Sequence, residues 1–329
     1  MKNANRSSLS DKTGAALLVV LVIVAALSAT SVAVLEGTQR NLRLSSNATS
    51  LAQAQWYAMG ADAYVKAIAA DLQSGPAARA AFADGPRTFT FPLDYGLMEI
   101  EARDGSTCIN LNSVVAGAND IFQRHETGAA QFAALLEALR ISDAQADDLD
   151  QALVDWIDTD DGRRGSSSDD TPYLRQTPTY MTGREPLVEV SELRAIRGFT
   201  PQIYETIRPY VCALPLVGPT KVNVNALSED DAPVLSAMTQ GAIDVASARR
   251  IIATRPASGW TSPDDLWGRA EFSGMDLPEG LLQQTALEAQ FLDLSVNVTH
   301  LDAEASLSEQ LMLSGDQFVT TARRWSEDP

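Results

Sequence analysis

The sequence predicts an α+β fold in which a long, membrane-spanning N-terminal α-helix is packed on an antiparallel sheet, with two helical modules inserted between the strands. Three observations carry this. Residues Ala15 to Leu35 form a run of 21 without one charged side chain. Strand-like alternation appears at both ends of the remaining chain, near residues 88–102 and 291–325. Between them lies an internal repeat, in which Cys-Ile-Asn-Leu-Asn at 108–112 is answered by Lys-Val-Asn-Val-Asn at 221–225.

The apolar run, as an α-helix, is roughly 30 Å long, which matches the hydrocarbon core of a bilayer. Lys2, Arg6 and Lys12 against the single Asp11 hold residues 1–14 on the cytoplasmic side and place 36–329 beyond the membrane. Gly14 stands at the boundary. Two kinds of processing fit: a cut at that glycine, which keeps the helix, or an ordinary signal-peptide cut after Ser31-Val32-Ala33, which removes it. Beyond Leu35 the helical pattern continues to about residue 72, with Leu51, Ala54, Ala58, Ala61, Val65, Ile68 and Leu72 as one narrow apolar stripe. The stripe must cover something, and the sheet supplies it. Thr88 to Phe91 alternates, Asp94-Tyr95-Gly96 reads as a turn, and Met98, Ile100 and Ala102 alternate with Glu99 and Glu101. The remaining strands are Phe291 to Thr299, Ala305 to Leu313 and Gln317 to Trp325, so the sheet is built from both ends of the chain.

In each repeat the Asn pair is followed by an apolar helix (Phe132 to Leu139; Ala232 to Met238), a second helix, and an acidic cap before a Leu. The caps are Ser191-Glu192-Leu193 and Ser262-Pro263-Asp264-Asp265-Leu266. On these grounds the chain divides into a leader (1–14), the apolar and soluble parts of the helix (15–35 and 36–74), the first half of the sheet (75–112), the two modules (113–215 and 216–287) and the C-terminal strands (288–329). The side-chain amides of Asn110, Asn112, Asn223 and Asn225 are expected to tie the start of each module to nearby backbone.

Composition narrows the function. The net charge is −18, and −20 without residues 1–14, which carry +2. So acidic a surface repels nucleic acid. Glu192 to Phe199, with the helix that follows, looks like a helix-hairpin-helix, yet from Leu187 to Pro215 three Glu balance three Arg, so the segment reads as packing with Gly198 as its turn. Two histidines, His125 and His300, and no nucleophile motif leave enzyme chemistry little to work with. Cys108 and Cys212 suit one disulfide in an oxidising compartment, stapling the ends of the first module. Ser142 with Gln145 reads as a capping box opening a helix whose inner face is Ala146, Leu149, Leu153, Trp156 and Ile157. That helix carries Asp155 and Asp158 on its last turn, the unfavourable end for anions. With Asp160, Asp161, Asp169 and Asp170 they make six carboxylates in sixteen residues, hard oxygen donors that suit Ca²⁺ rather than Zn²⁺. Without an ion the same loop is a solvated acidic surface, partly neutralised by Arg163 and Arg164.

Gly14 followed by Ala-Ala-Leu-Leu-Val-Val-Leu-Val-Ile-Val resembles the type IV pilin superfamily, whose prepilin peptidase cuts after the glycine. The resemblance implies cleavage between Gly14 and Ala15. Most members carry Glu at the fifth mature position, where this chain has Val19. That departure, the paired modules, Asp155-Trp156-Ile157-Asp158-Thr159-Asp160, Ser191-Glu192-Leu193 and Val211-Cys212-Ala213-Leu214-Pro215 are together similar to the minor pseudopilin K family of type II secretion. What the resemblance implies is a pilin-type sheet bearing SAM-like, helix-hairpin-helix-like modules. In function it implies a non-enzymatic tip subunit that starts and caps the pseudopilus for export of folded proteins across the outer membrane. The implied partners are minor pseudopilins I and J, the other pseudopilins, the prepilin peptidase and the inner-membrane secretion platform. The implied location is a single pass through the bacterial inner membrane, with the bulk of the chain in the periplasm, and the family's loop binds calcium. The competing readings are a minor pilin of a type IV pilus or DNA-uptake machine, and a signal-anchored periplasmic binding protein.

Overall fold

The computed structural model describes residues 8–70, 75–159 and 170–325. Helix α1 (Ser8–Ala70) is continuous over 63 residues. Its apolar run satisfies its own polar groups: the hydroxyls of Thr30 and Ser31 donate to the carbonyl of Leu27. From Gly14 to Thr49 every side chain is exposed. Below that, one stripe is buried: Ser50, Ala54, Ala58, Ala61, Val65 and Ala69, spaced by four, with a single step of three. The stripe is turned slightly from the expected one. Leu51 is 41% exposed, Ile68 is half-buried, Ala69 takes the inner place, and Leu72 lies outside the described residues. The reason is steric, because a stripe made mostly of alanine, with one serine and one valine, lets the helix axis lie close against the strands.

A short helix, α2 (Pro76–Arg79), leads into the hairpin of β1 (Arg87–Leu93) and β2 (Gly96–Asp104). Leu93 pairs with Gly96, leaving Asp94-Tyr95 as a two-residue turn with Tyr95 at φ 66°. The chain then leaves the sheet. Strands β3 (Ile109–Asn110), β4 (Val115–Ala118) and β5 (Ile121–Arg124) precede helices α3 (Glu126–Ala138), α4 (Asp143–Ile157), α5 (Thr171–Leu174) and α6 (Pro201–Ile207), and β6 (Val211–Cys212) closes the first module. The second runs from β7 (Val222–Asn223) through α7 (Ala232–Met238), α8 (Val245–Ala253) and α9 (Pro263–Trp267) to β8 (Thr285–Ala286). Strands β9 (Phe291–His300), β10 (Ala303–Ser314) and β11 (Gln317–Arg324) return to the sheet, whose order is β1-β2-β9-β10-β11 with every neighbour antiparallel.

The sheet's inner face, with Ile100, Leu294, Val296, Val298, Leu307, Leu311 and Phe318, meets the α1 stripe in one core. Ile100 sits opposite Val296, so residues from the two ends of the chain are direct cross-strand partners. The two modules share a second core rather than folding apart. Helices α3 and α7 pack together, and the buried Gln131 of α3 donates to the carbonyl of Met238 and to Gln284 across the junction.

The repeat recurs at its hinges. Parallel β3–β6 and β7–β8 pairs close the two modules at equivalent positions. Asn112 donates to the carbonyls of Leu187 and Leu214 and accepts from the Leu187 N–H. Asn225 donates to the carbonyls of Trp260 and Leu287 and accepts from the Trp260 N–H. Asn110 and Asn223 accept from the N–H of Asn112 and Asn225, two residues on. The acidic caps also correspond: Glu192 accepts from the Val188 and Glu189 N–H groups, and Asp265 from those of Thr261 and Ser262. In the first copy the cap lies within a 3₁₀ turn, Val190–Ala195.

Candidate functional site

Two regions are the sequence's candidates for function, the bare upper half of α1 and the acidic stretch after α4. In the first, Val19 is 58% exposed within an apolar surface that is not buried against any other described part of the chain. The helix is long and apolar enough to cross a membrane. Leaving so many aliphatic side chains in water would forfeit about 1.5–3 kcal/mol for each Leu, Ile or Val that a bilayer or partner helices could cover.

The orientation of the rest follows from the lower half of α1. Ser46, Thr49, Ser50 and Gln53 lie beside the β9–β10 turn at His300 and Leu301, where Gly96 also pairs with His300. The other end of the same strands, Asp104 opposite Leu292, is where the modules are attached. The helical body therefore crowns the end of the sheet far from the apolar helix.

That attachment is dense. Cys108 and Cys212 form a disulfide with a Cα–Cα distance of 5.8 Å, packed on Phe291 and Met312. Buried Asp104 accepts from the Ser106 N–H at 2.7 Å and from Asn223 at 2.6 Å, joining β2 to the second module. Arg255 donates to the carbonyls of Leu227 and Ala83, and Arg324 pairs with Glu189 at 2.7 Å.

In the acidic loop, Asp155, Asp158 and Asp170 are described; Asp160, Asp161 and Asp169 lie outside the described residues. Among the described residues there is no group of three or more metal-ligating side chains. Asp158 caps α4, its N–H on the Val154 carbonyl, and Thr159 binds the Phe122 backbone in β5. Asp155 accepts from Gln151. Asp170 is buried and occupied: one oxygen accepts from the Thr182 N–H and hydroxyl at 2.8 and 2.9 Å, and the other pairs with Arg184 at 2.9 Å. The Thr182 N–H is the main reason its carboxyl is held below the usual range. Asp170 is thus an anchor of the loop, and a cation there would compete with the Arg184 guanidinium. The Arg184 N–H closes the anchor on the Trp156 carbonyl, beside a cluster of Trp156, Tyr173 and Tyr180. Asp155, on the last turn of α4, and Asp158, its C-cap, are the other described carboxylates of the six, oxygen groups of the type that suits a hard cation.

Other expectations resolve simply. Ser142 caps α4 through its carbonyl, bonded to the N–H groups of Gln145 and Ala146, and its hydroxyl makes no capping bond. His125 caps α3, accepting from the Gly128 N–H, and His300 packs edge-on against Tyr57. Gly198, at φ 90°, turns against Leu149 of α4, and Leu193, Ile196 and Phe199 of the same hairpin are buried in the module core. Sequence reading missed Thr182 and Arg184, which carry no spacing signal, and a buried Glu309. The signal for Glu309 was present: it stands in the inward phase of Ala305, Leu307 and Leu311.

A long apolar helix, half bare and half laid on a sheet that carries its own large insertion, defines a membrane-anchored, pilin-like subunit. Family models described as type II secretion system protein K match residues 107–216 and 222–288. The chain belongs to that family and is a minor pseudopilin of the type II secretion system. Type II secretion system protein K of Pectobacterium carotovorum subsp. carotovorum is 29% identical over 96% of this chain and 97% of its own length. That of Klebsiella pneumoniae is 33% identical over 76% of this chain and 77% of its own. A chain in the crystal structure of the GspK-GspI-GspJ complex from enterotoxigenic Escherichia coli superposes with a TM-score of 0.66 at 23% identity, covering 84% of this chain and 96% of its own.

Proposed function

We propose that the chain is the tip subunit that starts and caps the pseudopilus, joined to minor pseudopilins I and J through the exposed half of α1. The observation that carries this is Val19 on a bare apolar helix. A Glu at that position would neutralise the amine of a neighbouring subunit, and an unpaired charge in an apolar bundle costs several kcal/mol. A subunit with Val19 has no such neighbour to serve above it. The helical body crowning the far end of the sheet supports the same place in the filament. The solved relative of the same fold comes from a complex with GspI and GspJ.

On this reading the prepilin peptidase cuts between Gly14 and Ala15, and the chain crosses the inner membrane once with its bulk in the periplasm. It then moves from the secretion platform into the filament with the other pseudopilins. Its role is assembly rather than catalysis. The family assignment favours type II secretion over a type IV pilus, a DNA-uptake machine or a periplasmic binding protein. Calcium is held by Asp155, Asp158, Asp160, Asp161 and Asp169, with Asp170 and Arg184 as the frame; bound there, the ion would cancel the repulsion among these carboxylates.

The test is affinity capture of the full-length protein from secreting cells after crosslinking. Recovery of pseudopilins I and J, lost when Val20 and Val24 are changed to Asp, supports the tip assignment. Capture of the major pseudopilin alone would refute it.

A further inference from the structure

The end of the sheet nearest the apolar helix carries two turns of unusual composition. Leu93 pairs with Gly96 and His300 with Ala303, so Asp94-Tyr95 and Leu301-Asp302 each close a hairpin in two residues. In each turn the large apolar residue stands at positive φ, 66° at Tyr95 and 53° at Leu301. Gly or Asn fills such places at lower cost. Both side chains are nonetheless open to solvent, Tyr95 at 79% and Leu301 at 58%. The Leu301 N–H donates to the Tyr95 carbonyl at 2.9 Å, which fixes the two turns side by side, and Leu97 is exposed two residues beyond Tyr95. The sheet therefore ends in an apolar tip that is held at a conformational cost, and such a surface calls for a partner.

The helix beside the tip indicates which partner. Arg43 and Arg40 precede Ala54 by 11 and 14 residues, close to three and four whole turns, so they stand on the sheet-facing side of α1. Both side chains are exposed. They lie about 12 and 8 Å past Leu35, where a long side chain reaching back along the helix meets lipid phosphates. Glu36 shares that side, one negative charge against two positive ones, and α1 has no charged residue from Leu44 to Ala61. Phosphate attraction confined to one side of the helix tilts it toward the tip. The Leu301 turn is level with Ser46 to Gln53, about 20 Å past Leu35, and headgroups fill the first 5–7 Å of that interval. The sheet stands about 10 Å from the helix axis, so a tilt of about 30°, inside the range of membrane helices, leaves about 6 Å for the Tyr95 side chain to span. Tyr is at home in that layer, with its ring toward the apolar side and its hydroxyl in water. Asp94 and Asp302 are exposed in the same turns, so a uniformly anionic surface would repel the tip, whereas zwitterionic headgroups offer each carboxylate an ammonium group.

Resting on the reading that residues 15–35 span the membrane, we propose that before assembly the Tyr95–Leu301 tip sits on the headgroup layer of a zwitterionic leaflet, with phosphates on Arg40 and Arg43 and ammonium groups on Asp94 and Asp302. The contact leans the sheet and its helical body toward the membrane, and entry into the filament breaks it.

The test places the full-length protein in vesicles of phosphatidylethanolamine and phosphatidylcholine that carry a short-range quencher on their headgroups. A fluorophore is attached at Thr299→Cys, exposed beside the tip, or at Ser314→Cys, exposed at the opposite end of β10; the native cysteines are paired with each other. Quenching at 299 and none at 314 is expected. Tyr95→Asn combined with Leu301→Asn removes the apolar side chains and puts a residue suited to positive φ at both places, so the unfolding midpoint in detergent should not fall while quenching at 299 drops to the level at 314. Arg40→Gln with Arg43→Gln should weaken the quenching too. Equal quenching at the two sites in the parent, or quenching at 299 that survives the Asn pair, overturns the proposal. An unquenched parent whose Asn variant loses capture of pseudopilins I and J would make the tip a protein-binding surface instead. Release of the protein from the vesicles by an alkaline wash would overturn the spanning helix itself, a failure distinct from an unquenched label on a protein that the vesicles retain.

Discussion

At the scale of single residues, two asparagines do the same work in two places. Asn112 and Asn225 each join three backbone groups that would otherwise be buried and unpaired. Replacing either with Ala should destabilise the protein by about 1–3 kcal/mol, read from chemical denaturation. A neutral Asn225→Ala variant would show that the second bolt is not structural. Both were legible in the sequence, because a polar pair recurring in an apolar frame has to be satisfied somewhere. The partners of Asp170 were not, since Thr182 and Arg184 approach it through an irregular segment that no periodicity describes. For that reason the six acidic residues looked equivalent, when the fold makes one of them an anchor.

Elements were read best where a period governs them. The strands at both ends of the chain follow from alternation alone, and the repeat showed that what lies between them is duplicated. The rotation of the α1 stripe was harder to see, because Ala and Ser count weakly as apolar while Leu51 counts strongly; close approach to the sheet reverses that weighting. Ala58 therefore has no room to grow, and Ala58→Leu should cost about 1–3 kcal/mol by overpacking, measured as a lower unfolding midpoint. An unchanged midpoint would mean that α1 rides loosely on the sheet. Higher on the helix, Val19→Glu should leave secretion unimproved, because the new carboxylate would enter the bilayer or the bundle without a partner. Improved secretion by that variant would argue for a place inside the filament shaft.

At the scale of the whole molecule, the chain is a long helix for insertion and assembly, a sheet that grips it, and a helical body carried at the far end. That the two modules share one core was hidden, since the α3–α7 contact joins residues more than a hundred apart and leaves no local trace. Calcium should act on this body: at about 100 times its dissociation constant it should add roughly 2.7 kcal/mol to stability, and chelator should remove the gain. An Asp158→Ala, Asp160→Ala double variant that still responded to calcium would leave the loop a solvated surface. The most direct measurement of the pseudopilin assignment is the N-terminal sequence of the mature protein recovered from the membrane. A chain that begins at Ala15 keeps the helix on which insertion and assembly both depend, and this is the expected result. A chain that begins at Val34 or close to it would have lost that helix to a signal peptidase, and would contradict the assignment.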